Sequence, residues 1–323
     1  YGKNKMKNNE KIIGIFGGSS FLAKYAIQKL CKEGYRIKIG TRKPWLVNNL
    51  KTTMGSPGQL ELIKTNIFNP DDVKKLLNNC DYCINFCGQL TENKISFHQL
   101  HTQWPEMLAK ISNELSIKKL IHISALNSSE NHPSQYMKSK MLGEKKIKEN
   151  FENYFILRPS IVIGNGDDKF FNTFGTMVQI SPIIPLPLSG KSMFSPVHAE
   201  DCAEANVKFL KIEDLKNKRI FEAAGPSNYT FKSLIQLFLH QIKKKRLLVP
   251  IPYNIIKMQS YFLQYFPEPF TITPDQVLLL KHNSTPTGKF PLLDEIGIIP
   301  RDIKSIFKFW VRFKSGGQFN KDY

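Results

Sequence analysis

Tyr136 and Lys140 stand four positions apart in "YMKSK", a spacing that places two side chains on one face of a helix. A tyrosine hydroxyl beside a lysine ammonium has a lowered pKa and can exchange a proton with an alcohol or carbonyl. Ser124, which closes the run "LIHIS" upstream of the pair, can orient the same oxygen. That is reductase chemistry. The same Tyr136 and Lys140 can equally grip the ribose of a cofactor and catalyse nothing.

A second group sits near the start of the chain. "IFGGSSFLA" fits G-x-x-G-x-x-G/A, with Gly17 in the first place, Ser20 in the second and Ala23 in the third. Such a turn, directly after a strand and before a helix, aims backbone N–H groups at a pyrophosphate. Ala23 is a tolerated packing substitution, whereas Ser20 replaces the glycine that lets a ligand approach the backbone. Gly17, Ser19, Ser20, Phe21 and Leu22 are the candidate pyrophosphate contacts. Where an NAD-specific fold places an acid for the ribose hydroxyls, the chain reads "IKIGTRKP". Arg42 and Lys43 offer cations there instead, which favours a 2′-phosphate and hence NADP(H) over NAD(H).

These residues need elements that place them. Strand-like runs fall at Ile12 to Phe16, Arg36 to Gly40, Leu60 to Ile63, Tyr82 to Phe86, Lys119 to Ile123 and Tyr154 to Leu157. Helical patterns at Phe21 to Lys32, Asp71 to Leu77, Pro105 to Leu115 and Tyr136 to Glu149 alternate with them. The alternation predicts an α/β fold: a Rossmann-type, doubly wound parallel sheet with ligands at the carboxyl ends of its strands. Asn66 and Ile67, Cys87 and Gly88, Ser124, and Pro159 after the next strand complete the candidate cofactor site, with Pro159 bordering the nicotinamide.

After Arg158-Pro159 the texture changes, and Pro182, Pro185, Pro187, Gly190 and Pro196 mark an irregular stretch. The expected division is a basic tail over 1–10, a nucleotide-binding domain over 11–165 with a returning segment around 195–225, and a smaller, largely helical C-terminal domain over 166–194 and 226–323.

The 323 residues suffice for about two domains at ~150 residues each. Hydrophobic residues at 41% and charged residues at 23% exclude wholesale disorder and fibrous architectures. No uninterrupted apolar stretch reaches the ~18 residues of a spanning helix. Forty-six Lys and Arg against 27 Asp and Glu give a formal net charge of +19, which calls for an acidic neighbour or reflects solvated lysine on the surface. No RNA-binding motif or interleaved aromatic platform accompanies the charge, so nucleic acid is not an expected partner.

Five cysteines do not read as a secreted disulfide framework, and Cys80, Cys83 and Cys87 lie in a strand pattern without metal-site spacing. No metal is expected. His198 in "PVHAEDCAEA" reads as structural, with Glu200 and Asp201 as first-turn acids of the following helix. The start at Tyr1, followed by a basic, Asn-rich stretch, suggests processing or trimming of the N-terminus.

Together, Gly17 to Ala23, "NFCG" (Asn85 to Gly88), Ser124, Tyr136, Lys140 and the "GE" of Gly143 and Glu144 resemble the extended or atypical short-chain dehydrogenase/reductase (SDR) superfamily. "LRPSIVIG" from Leu157, the pair Asp167-Asp168 before "FFNTF", "DQVLLLK" and the closing "RFKSGGQF" narrow the match. They look like the branch that contains SDR-like accessory subunits of mitochondrial respiratory complex I, NADH:ubiquinone oxidoreductase, and their alphaproteobacterial relatives. The resemblance implies a tightly bound NADPH in a structural role, in a non-catalytic subunit that stabilises or assembles the complex. It would lie peripherally on the matrix side of the mitochondrial inner membrane, near the quinone site. Its partners would be other subunits of the matrix arm and membrane junction. The alternative is a free-standing NADP-dependent reductase or epimerase, such as one in a bacterial cytoplasm, using Ser124, Tyr136 and Lys140. Ser20, and His101 where extended reductases often carry an active-site Asn, depart from the catalytic pattern. Lys243 to Arg246, ahead of the apolar "LLVPIPYNIIKMQSYFLQYF", can lie against an anionic lipid surface or a partner subunit, or cap a packed helix.

Overall fold

The computed structural model describes residues 11–92, 94–164, 169–213, 218–267 and 270–305. The chain divides into two units, each with its own core.

The first unit comprises residues up to Pro159, Ala199–Ala223 and Gly288–Ile298. Its strands are short apolar runs: β1 (Ile12–Phe16), β2 (Arg36–Thr41), β3 (Leu60–Lys64), β4 (Tyr82–Asn85), β5 (Lys119–Ile123), β6 (Tyr154–Pro159) and β7 (Ile220–Ala223). All pair in parallel, in the order β7-β6-β5-β4-β1-β2-β3. Such strands are buried on both faces, which is why β1, β4 and β5 read as near-continuous hydrophobic runs rather than alternating ones. Chain order reverses at β1, whose neighbours are β2 and β4, so the crevice beyond the carboxyl ends of β1 and β4 is the topological switch point.

Helices α1 (Phe21–Lys32), α2 (Pro70–Leu77), α3 (Trp104–Glu114), α4 (Gln135–Asn150) and α5 (Ala199–Lys211) cover the sheet. Local chemistry sets their ends. Ser20, Asn69 and Ser134 cap α1, α2 and α4 by accepting from Ala23, Asp71 and Met137 amides. Pro70 stands in the first turn of α2, followed by Asp71 and Asp72, which complement the helix dipole. Val73, Leu76, Leu77, Trp104, Leu108 and Ile147 form one buried cluster with Phe16. The returning α5 docks by other means. Buried Lys119 of β5 donates to the Phe209, Leu210 and Ile212 carbonyls at its C-terminal end, and Phe155 stacks on Phe209 at 4.9 Å.

Residues 288–298, which the sequence pattern leaves in the smaller domain, pack in this first unit. Glu222 N of β7 donates to Pro291 O at 2.9 Å, and Leu293 and Ile296 are buried.

The described residues of the second unit fall within 160–198, 224–287 and 299–305. Three two-stranded pairings build it: Val162–Ile163 with Val197–His198, Met193–Phe194 with Tyr229–Thr230, and Ile183–Pro187 with Leu247–Ile251. Its core gathers Leu234, Ile235 and Phe238 of the helix Phe231–Gln241 against Ile163, Val178, Ile184 and Phe194. Helices Lys169–Ile180, Tyr253–Leu263 and Pro274–Lys281 complete it. Among the described residues, no helix is long and apolar enough to cross a membrane.

Candidate functional site

Gly17 leaves β1 with φ +76°, a conformation that L side chains resist, and the Ser20 amide closes the turn on its carbonyl at 3.0 Å. A Cβ at Gly17 would sit 2.8 Å from both Cys87 N and Phe86 C. The turn therefore lies against the backbone that follows β4. Gly18 is required for a different reason: a Cβ there would overlap the Ile39 side chain of β2. Ser20 solves the problem its own side chain creates by turning Oγ back to accept from Ala23 N at 3.3 Å. The Phe21 and Leu22 amides have no intrahelical carbonyl in reach, as the geometry of a first turn dictates. This glycine cradle and helix N-terminus fit a pyrophosphate.

Beyond β4, Asn85 fixes the loop. Its Oδ1 accepts from Cys87 N at 3.0 Å and Trp104 Nε1 at 3.1 Å, while Nδ2 donates to His122 Nδ1 at 3.0 Å. His122 is fully buried in β5, and burial first, then the charge of Lys140, push its pKa well below the usual histidine value. The Cys87 thiol is pushed up to about 12 by burial, which outweighs the opposing influence of Lys140. It is therefore a poor nucleophile.

The Tyr136 and Lys140 pair is carried on α4, as its spacing requires, but its electrostatics differ from the expectation. Burial raises Tyr136 to about 12 rather than lowering it, because desolvation of the phenolate dominates. Lys140 is brought down to about 8, again chiefly by burial, and its Nζ donates to Ile123 O at 3.0 Å. A Cβ on Gly88 would lie 3.1 Å from that Nζ, so the loop passes close over the lysine head.

Ser124 is engaged from within the fold. Its hydroxyl donates to Glu144 Oε1 at 2.6 Å. The same carboxylate accepts from Ser128 Oγ at 2.9 Å, Arg158 Nε at 2.8 Å and Arg158 Nη2 at 2.7 Å, and Glu144 itself is completely buried. A buried, bidentate ion pair thus holds the only proton that Ser124 can donate. The sequence displays both partners in its "GE" and "LRP" motifs, but only the fold shows that they meet.

The other predicted positions are placed as follows. Arg42 and Lys43 are exposed at the end of β2, and Lys43 N donates to Thr41 Oγ1 at 3.3 Å. Asn66 and Ile67 occupy the loop between β3 and α2. There Asn66 Oδ1 accepts from Phe68 N and Asn66 N donates to Asp72, so its side chain shapes the loop. Ser19 lies in the glycine turn, and Pro159 ends β6, where its carbonyl accepts from Leu126 N at 2.9 Å. His198 is buried in its strand, and Glu200 and Asp201 open α5. Cys80 donates to Leu76 O, and Cys83 lies fully buried in β4. The five thiols are free, and among the described residues no group of three or more His, Cys, Asp or Glu could hold a metal. The tail over 1–10, Asp167-Asp168 and "RFKSGGQF" fall outside the described residues.

Sequence inspection underrated His101. It is buried in a π-helical turn (His98–Gln103) that leads into α3, a local geometry frequent at functional sites. Its ring meets Gln89, Ser139, Phe97 and Tyr136, residues too scattered in sequence to be linked by spacing.

A family model described as NAD(P)H-binding matches residues 17–173. NADH dehydrogenase [ubiquinone] 1 alpha subcomplex subunit 9, mitochondrial, of Mus musculus is 26% identical over 90% of this chain and 78% of its own length. The protein of the same name from Arabidopsis thaliana is 24% identical over 94% and 78%. The ceramide reductase of Caulobacter vibrioides is 21% identical over 75% of this chain and 74% of its own. Among solved structures, the Citrobacter triphenylmethane reductase complexed with NADP(H) superposes with a TM-score of 0.71 at 17% identity, covering 92% of this chain and 98% of that one. The chain has a Rossmann-type fold, its residues 17–173 match the NAD(P)H-binding model, and it is similar over most of its length to relatives named as NADH dehydrogenase [ubiquinone] subunits.

Proposed function

We propose that this chain is a non-catalytic, NADPH-binding accessory subunit of mitochondrial respiratory complex I, peripheral to the inner membrane on its matrix side. The observation that carries the reading is similarity over 90% of the chain, and 78% of the relative, to a subunit named for NADH dehydrogenase [ubiquinone], and the Gly17 cradle supports a dinucleotide at the same turn. Gly17, Ser19, Ser20, Phe21 and Leu22 would hold the pyrophosphate, and Arg42 and Lys43 the 2′-phosphate. Asn66 and Ile67 would flank the adenosine half. Cys87, Gly88, Ser124, Tyr136, Lys140 and Pro159 would border the nicotinamide half. A cofactor that binds only the folded state stabilises it by mass action, with no need of turnover. Engagement of Ser124 by Glu144 supports this non-catalytic role.

The membrane side of the reading rests on the second unit. In the helix Tyr253–Leu263, Ile256 and Ser260 are buried, while Ile255, Met258 and Phe262 form an exposed stripe that continues to Tyr265 and Phe266. Phe262 is 70% and Tyr265 84% exposed. An apolar stripe turned outward, preceded by Lys243, Lys244 and Lys245, suits an anionic lipid surface or the membrane junction of the complex. Arg246 has another role, since its Nε donates to Val178 O at 2.8 Å.

The intact Tyr136 and Lys140 pair favours one competing reading, a free-standing NADP-dependent reductase. Purification from native membranes in mild detergent decides between them. Co-migration with NADH:quinone reductase activity, NADPH found by mass spectrometry, and electron transfer unimpaired by Tyr136→Phe are the expected results. A soluble protein that oxidises NADPH when offered carbonyl substrates would overturn the proposal.

A further inference from the structure

His101 bridges the two backbone segments assigned to the nicotinamide half of the site, and its protonation state follows from counting protons. Gln89 N donates to His101 Nε2 at 3.2 Å, so Nε2 carries no hydrogen. On the other side, Nδ1 lies 2.9 Å from Ser139 Oγ. That hydroxyl has one proton, and it donates it to Tyr136 O at 2.8 Å. Ser139 must therefore accept from Nδ1–H. Both contacts demand the same neutral tautomer. The surroundings enforce it, since burial first, and then the charges of Lys140 and His122, bring the His101 pKa down to about 2.

The ring is also clamped. Phe97 stacks on it at 5.3 Å, and Tyr136 meets it edge-on at 5.5 Å. Gly143 of α4 packs so closely under the His101 carbonyl that a Cβ there would overlap it. A Cβ on Gly88 would approach Lys140 Nζ and, at 3.8 Å, His101 Nε2. Gly88, His101 and Lys140 thus converge on one point.

We infer that His101 is a positioning residue: as a neutral imidazole protonated on Nδ1, it ties the Gly88–Gln89 loop to the α4 turn bearing Tyr136 and Lys140, and so sets the gap that receives the nicotinamide half of the cofactor. This rests on the NADPH-binding reading above.

The test is calorimetric titration of the full chain with NADPH and, separately, with adenosine 2′,5′-bisphosphate, which probes the adenosine half alone. His101→Phe keeps the stacked ring but loses both hydrogen bonds. It is expected to weaken NADPH by about tenfold (about 1.4 kcal/mol) and to leave the bisphosphate within about twofold. The emission of bound NADPH should shift with it. Ser139→Ala, which removes one bond and keeps the histidine, gives a smaller change in the same direction and serves if His101→Phe does not fold. Equal losses for both ligands, or no loss for either, would overturn the inference and leave the cofactor reading standing. A wild-type chain that binds neither ligand would overturn both.

Discussion

Replacing Glu144 by Gln removes a charge around which four donor contacts converge, at 2.6 to 2.9 Å. None of the residues involved, Ser124, Ser128, Glu144 and Arg158, is more than 5% exposed. Arg158 cannot shed its proton, so the variant would bury an uncompensated guanidinium, a change that costs about 3–5 kcal/mol. The Phe290 ring, 4.5 Å from the guanidinium carbon, makes a cation–π contact that wild type and variant share, so it does not alter the difference. A loss of about 3–5 kcal/mol is expected, read as a lowered urea midpoint with an unchanged slope. Glu144→Gln combined with Arg158→Met removes both charges and should recover most of the loss, because an apolar replacement of a buried pair is far less damaging than half a pair. A single variant that loses less than about 1 kcal/mol, or a double variant no better than the single, would refute the claim that this pair is a buried pin.

Three further outcomes follow from the same geometry. Gly17→Ala places a side chain at φ +76° and drives its Cβ toward Cys87 N, so NADPH binding should be lost in a titration while the far-UV spectrum is kept, with about 1–2 kcal/mol of backbone strain. Arg42→Ala with Lys43→Ala should weaken NADPH by at least about tenfold and leave NADH nearly unchanged, since in the proposed site both cations would serve the 2′-phosphate alone. Acid should destabilise the fold early. His101 and His122 are held neutral when folded but take up protons near pH 6.5 when unfolded, so stability is level above 6.5 and falls below it. The expected slope is about 1.4 kcal/mol per histidine per pH unit, checked by urea melts between pH 7 and 5, and His101→Phe should leave only the His122 share of it.

Much of the first unit was legible in the sequence because its signals are local. Apolar runs such as Ile12–Phe16 and Lys119–Ile123 are periodic in themselves, and the caps Ser20, Asn69 and Ser134 act within three residues of their own positions. The Gly17 turn was readable for the same reason. What escaped depends on tertiary approach. Lys119 finds the end of α5 across some ninety residues, and the segment 288–298 joins the first unit by pairing with β7. Ser124 reads as a catalytic hydroxyl until Glu144 is seen beneath it. Tyr136 reads as acidified by Lys140 until burial is weighed: burial raises the phenol, and the Lys140 ammonium is directed at a backbone carbonyl.

These contacts share a direction: each engages a candidate group in a buried network. Ser124 serves the Glu144–Arg158 pair, Lys140 holds Ile123 O, and His101 joins the Gly88–Gln89 loop to α4. An enzyme needs such groups poised for a substrate, whereas a structural ligand site needs them rigid. In the proposed subunit, a dinucleotide present at a hundredfold excess over its Kd would add about 2.7 kcal/mol to stability without reacting. The variant that separates the two designs is Tyr136→Phe. A reductase would lose its chemistry and keep its stability. The proposed subunit should keep NADH:quinone electron transfer and lose only what the tyrosine hydroxyl contributes to holding the ribose, about tenfold or less in NADPH affinity.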